Sequence, residues 1–246
     1  VSSAASDVYK RQRLFGLTNS EGNHGEDVKE YYYYLDSTPT HSYMRYLYKY
    51  PLNAYPYDDL VATNKARSRH EQEYELIDTG SFDSNEYCDI EVEYAKADPE
   101  DLLIQITVHN RSTQTAKLAV LPTLWFRNTW AQDGSAKPLI QAQSNESGSE
   151  RLQAVHPELG CFQLQCQGCD ELVFTENDTN TQILWQQPNQ SPYTKCGINR
   201  YVVDGDTAAV NPAKQGTKAA AIYNLLIAGN SSSTIKLRLA KSTPEA

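Results

Sequence analysis

The sequence predicts a mainly β protein, built as a large antiparallel β-sandwich. Three observations carry that expectation. Apolar residues recur with a period of two, turn-forming residues separate those runs at fairly even intervals, and helical periodicity is weak. Met44, Tyr46, Tyr48 and Tyr50 fit strand spacing, while Tyr43, Tyr46, Leu47 and Tyr50 fit a helix equally well. Aromatic richness and Pro51 favour the strand. Ile90, Val92 and Tyr94 alternate with Asp89, Glu91 and Glu93. After the turn residues Asp98-Pro99-Glu100-Asp101, Leu102, Ile104, Ile106 and Val108 alternate with Gln105, Thr107 and His109. These two runs predict a hairpin with one buried face. Leu118, Val120, Leu124 and Phe126 form the next strand, with Pro122 marking an edge or bulge. Later strands are expected at Cys161–Gln167, Glu171–Thr175, Thr181–Gln186, Lys218–Ala228 and Thr234–Leu239. Gly168, Asn177-Asp178 and Gly229-Asn230 separate them, and 134–149 and 187–194 read as loops.

The 246 residues suffice to bury a core, and the formal charge of −9 argues against a nucleic-acid partner. No apolar run approaches the roughly 20 residues that span a bilayer, so no membrane partner is expected. Five cysteines, an odd number without framework spacing, favour a reducing, cytoplasmic compartment. Cys166 and Cys169 have knuckle spacing, but Cys161 and Cys196 supply no matching pair. Ordinary thiols are therefore expected, with no metal and no cofactor. The triplets Asn110-Arg-Ser112 and Asn177-Asp-Thr179 are glycosylation sequons that matter only in a secreted chain. Residues 1–12 have no periodicity and resemble a translated adaptor. The expected organisation is a non-native tail at 1–12, a β-sandwich at 13–241, and the start of a linker at 242–246.

Ten of the seventeen tyrosines lie between Tyr31 and Tyr57, interleaved with acids and His41. A tyrosine offers a flat apolar face and a hydroxyl on one side chain, which suits a surface that holds sugar rings. Just before them, Asn23, His24, Glu26 and Asp27 sit on a glycine-flanked stretch whose polar groups either satisfy one another or meet a substrate. One histidine with neighbouring acids is not specific metal spacing. Trp125, Arg127 and Trp130 form a second candidate, either a platform for a sugar ring or plugs of the core. Lys65, Arg67, Arg69 and His70 form a basic cluster beside Glu71 and Glu73, read as a solvated loop or a contact with another domain. No nucleophile elbow, P-loop or dinucleotide fingerprint is present.

Several stretches carry a resemblance: RLFGLTNSEGNHGEDVKEYY from Arg13 to Tyr32, LDSTPTHSYM from Leu35 to Met44, YAKADPEDLLI from Tyr94 to Ile104, and LPTLWFRNTW from Leu121 to Trp130. The chain resembles the bacterial branch of glycoside hydrolase family 63, the mannosyl-oligosaccharide glucosidases and related α-glucosidases. The match is strong to Trp130 and looser beyond. The resemblance implies an N-terminal β-sandwich followed by an (α/α)6 barrel, which carries the acid and base of an inverting reaction. None of the matched positions belongs to that catalytic pair, so no catalytic residue is carried over. The implied partners are the barrel of the same polypeptide and an oligosaccharide or small glycoside. In this reading Asn23, His24, Glu26, Asp27, Trp125, Arg127 and Trp130 face the barrel or its substrate. The alternative is a stand-alone carbohydrate-binding module.

Overall fold

The computed structural model describes residues 31–143 and 150–242. The fold is mainly antiparallel β with large sheets. The first strands are β1 (Tyr31–Ser37) and β2 (Tyr43–Pro51), followed by helix α1 (Tyr57–Ala66). β3 (Tyr87–Asp98) and β4 (Asp101–Asn110) form the expected hairpin. The run from Leu118 to Phe126 is two strands, β5 (Ala116–Val120) and β6 (Thr123–Trp125), broken at Pro122. Pro has no N–H to donate, but its carbonyl still accepts from Ala221 N at 3.0 Å. Helix α2 (Trp130–Asp133) follows, then β7 (Leu139–Gln143), β8 (Glu150–His156), β9 (Gly160–Cys166) and β10 (Glu171–Thr175). The chain continues through α3 (Thr181–Trp185), α4 (Gly197–Asp204), β11 (Gln215–Gly216), β12 (Lys218–Ile227) and β13 (Ser232–Lys241).

Two sequence expectations are corrected. Thr181–Gln186 is a short helix, not a strand. The Asn180 side chain caps it by accepting from Ile183 N, and Gln186 closes it in the left-handed region at φ 57°. Residues 134–149 are not all loop, since 139–143 form β7 opposite β8, with Ile140 facing Ala154 in the register. On the hairpin, Asp89 is buried at 6% exposure.

The residues fall into two compact units, with β3, β4, β5, β12 and β13 contributing to both. In the first unit the strands run β1-β2-β3-β4. Register places Tyr31 opposite Lys49 and Tyr33 opposite Leu47 on one face, and Tyr34 opposite Tyr46 on the other. The first face holds a core of Tyr31, Leu60 and Leu76, against which Tyr33, Tyr55, Tyr74 and Phe82 pack. The tyrosine run is therefore not simply a ligand surface. Tyr31 is buried, its hydroxyl donating to Glu75 at 3.3 Å and accepting from Ile77 N at 3.0 Å, while Tyr34 is exposed. On the other face Tyr46 stacks on Tyr94 at 6.4 Å between centroids.

In the second unit one sheet runs β13-β9-β8-β7-β11, and its buried face carries Ile140, Leu152, Leu164 and Leu237. A second sheet runs β10-β12-β5, with β6 also paired to β12. Ile198 of α4 packs with Val173, Ala220 and Ile222 of that sheet, flanked by Tyr201 and Val202. Gly216 allows a close approach there, since a Cβ at this position would lie 2.2 Å from the Thr175 carbonyl oxygen.

Candidate functional site

Asn23, His24, Glu26 and Asp27 lie outside the described residues. Trp125, Arg127 and Trp130 belong to the second unit, on the segment that leaves β6. Register places Trp125 opposite Lys218 and Leu124 opposite Ala219. Beyond the strand, Phe126 N donates to Thr217 O at 3.0 Å, and Phe126 O accepts from Asn177 Nδ2 at 2.8 Å. The Phe126 ring lies 5.3 Å from that of His156. Asn128 then anchors the far side. Its Nδ2 donates to Asn177 O and Asp178 Oδ1, and its Oδ1 accepts from Ala131 N at 3.2 Å at the start of α2. Trp125 is 38% exposed, Arg127 is exposed and Trp130 is half-buried. An indole and a guanidinium thus project from a backbone held on both sides.

Two carboxylates adjoin this hub, Asp178, which accepts from Asn128, and Glu176, which is committed on both oxygens. Glu176 Oε1 pairs with Lys137 at 2.9 Å, and Oε2 accepts from Thr217 Oγ1 at 2.8 Å. Thr217 Oγ1 in turn accepts from Asn177 N at 2.7 Å. Lys218 Nζ donates to Lys195 O at 3.1 Å, and burial, reinforced by the charge of Lys195, pushes its pKa below the usual lysine range. A carboxylate paired on both oxygens is poorly placed for general acid or base work. The arrangement displays and positions side chains.

The hairpin of the first unit carries a second constellation that period-two reading did not find. Asp89, Glu91 and Glu93 of β3 are each held from both sides. Asp89 accepts from Lys49 and Arg111, both at 2.7 Å. Glu91 accepts from Arg45 Nε at 3.0 Å and lies 3.7 Å from His109. Glu93 accepts from Tyr43 at 2.6 Å and Gln105 at 3.0 Å, and this bond raises the Tyr43 phenol pKa. The sequence signal was present, since acids alternate along β3 with donors in register on β2. The rungs satisfy one another and form a structural ladder.

In the basic cluster Arg67 lies over the Tyr74 ring at 5.1 Å, and Glu71 accepts from Ser68 N at 2.8 Å. Among the described residues no group of three or more His, Cys, Asp or Glu is placed to hold a metal ion. Also among them, no helix is long and apolar enough to cross a membrane.

No family model matches the chain. It is 41% identical over 253 residues to Uncharacterized protein YMR196W of Saccharomyces cerevisiae, a match that covers 89% of this chain. Among solved structures, Polysaccharide Lyase BACCELL_00875 aligns over 87% of this chain and 23% of its own, at 10% identity and a TM-score of 0.40. The chain spans 23% of the length of the yeast protein it matches.

Proposed function

We propose that this chain is the β-sandwich portion of an inverting α-glycoside hydrolase of the family 63 type. In that role it supports the active site of an (α/α)6 barrel in the same polypeptide. The motifs at 13–32, 35–44, 94–104 and 121–130 and the β-rich fold support this reading. The observation that carries it is the fixed display of Trp125 and Arg127, whose backbone is tied down at Phe126 and Asn128. Side chains that must meet a partner domain or a sugar gain from such preorganisation, because little freedom is lost when contact is made.

A chimera tests this, with the present chain replacing the matched 253 residues of the yeast protein. Hydrolysis of α-glucosides is expected. Trp125→Ala or Arg127→Ala is expected to lower kcat/KM about tenfold, a loss near 1.4 kcal/mol, with the thermal midpoint unchanged. A chimera that folds but releases no sugar contradicts the proposal, as do variants as active as the parent. The second reading, a stand-alone carbohydrate-binding module, is favoured by the exposure of the Trp125 indole. It predicts sugar affinity in the present chain alone.

A further inference from the structure

The loop around α3 turns Asn180 inward and carries its apolar side chains outward. Ile183, Leu184 and Trp185 are 67%, 52% and 62% exposed. A five-residue helix cannot hold itself in water, so other groups must keep it formed. They are the side chains of Asn180, Thr181 and Asn189. Asn180 is 8% exposed, and its Oδ1 accepts from Ile183 N and Asn189 Nδ2, both at 3.1 Å. Asn189 Oδ1 accepts from Thr181 Oγ1 at 3.0 Å and Gln182 N at 3.1 Å. Thr181 Oγ1 also reaches Gln187 O and Pro188 O, both at 3.1 Å. The far side of Asn180 donates to Cys196 Sγ at 3.4 Å. The segment is closed on itself, and its tip is held in one shape.

The chemistry of the tip is as specific as its scaffold. From Thr179 to Thr194 no residue is charged or histidine, in a chain that is 22% Asp, Glu, Lys and Arg. Gln182, Gln186, Gln187 and Gln190 lie within five residues of Trp185 along the chain and are exposed. A rim without charge has no attraction for phosphate, carboxylate or a cation. A flat indole flanked by amides that both donate and accept matches a neutral sugar, which presents an apolar C–H face and a ring of hydroxyls. Ile183 and Leu184 add exposed apolar surface to the same short helix.

We infer that the Trp185 tip is a binding site for neutral saccharides, with the indole as the stacking platform and the glutamine amides as hydroxyl partners. The site lies outside the β6–α2 segment, and it stands whether or not the chain belongs to a hydrolase.

Native affinity electrophoresis of the 246-residue chain tests it, in gels cast with soluble starch, with hydroxyethylcellulose, or with neither. Retardation by at least one glucan is expected. Trp185→Ala is expected to weaken it at least about tenfold, the loss of one stacking contact. Trp185→Tyr restores part of the retardation, and Leu226→Ala, at an exposed apolar residue outside the tip, leaves it unchanged. Far-UV circular dichroism confirms that each variant is folded. Equal mobility in all gels overturns the inference, as does retardation that survives Trp185→Ala. A third contrary result is a change of sedimentation coefficient in Trp185→Ala without any glucan effect, which assigns the tip to protein docking.

Discussion

Asn110 opens an Asn-Arg-Ser triplet, yet it is 1% exposed and every polar atom of its side chain is used. Nδ2 donates to Gln114 O, Ile227 O and Ala228 O at 2.7, 3.0 and 3.2 Å, and Oδ1 accepts from Ser112 N and Oγ at 3.0 and 2.8 Å. The triplet that read as a sequon is a buried turn clamp, and a folded chain offers no amide there for glycosylation. Asn110→Ala leaves these groups buried and unpaired, and urea unfolding is expected to show a loss of at least about 2 kcal/mol. Burial pushes the Cys166 thiol up to about 12 and the Cys88 thiol up to about 11. The thiolate is the reactive form, so it is scarce at pH 8 and grows only as pH rises toward those values. Iodoacetamide at pH 8 is expected to label Cys166 and Cys88 only after denaturation, and mass spectrometry reads the difference. Rapid native labelling of either contradicts the burial argument.

At the scale of elements, strands were legible and short helices were not. The hairpin of β3 and β4 follows from alternation around Pro99-Glu100, because one side of each strand meets apolar neighbours. Helix α1 buries only Leu60, so it leaves no apolar stripe in the sequence. Helix α4 does leave one, with Ile198, Tyr201 and Val202 at i, i+3 and i+4, and that spacing was the signal to read. Helix α3 is fixed by side-chain caps rather than periodicity, and its apolar run imitates a strand. Asn180→Ala is therefore expected to cost about 1 kcal/mol. It should also speed amide exchange across 181–187 well before the β strands are affected. Exchange rates unchanged there would show that the caps do not hold the loop.

At the scale of the molecule, the sequence conveyed a mainly β chain and drew attention to the segment from Trp125 to Trp130. It did not convey which aromatic groups turn inward. Tyr31 and Tyr34 are three residues apart and chemically identical, yet one is core and the other is open to solvent. Only the register of β1 on β2 and the packing of Leu60 and Leu76 separate them. Nor did it convey that Trp185 stands out on an uncharged loop. The ladder carboxylates Asp89 and Glu93, and Glu176 beside the β6–α2 segment, are held by structural partners, which supports the proposed role. The most direct measurement uses the whole yeast protein, of which the matched stretch is 23%. It is incubated with α-glucosides, and proton NMR follows the anomer of the released sugar. The account predicts that the β-anomer appears first, as inversion at an α-linked carbon requires. First appearance of the α-anomer, or no release from any α-glucoside by folded protein, would contradict it.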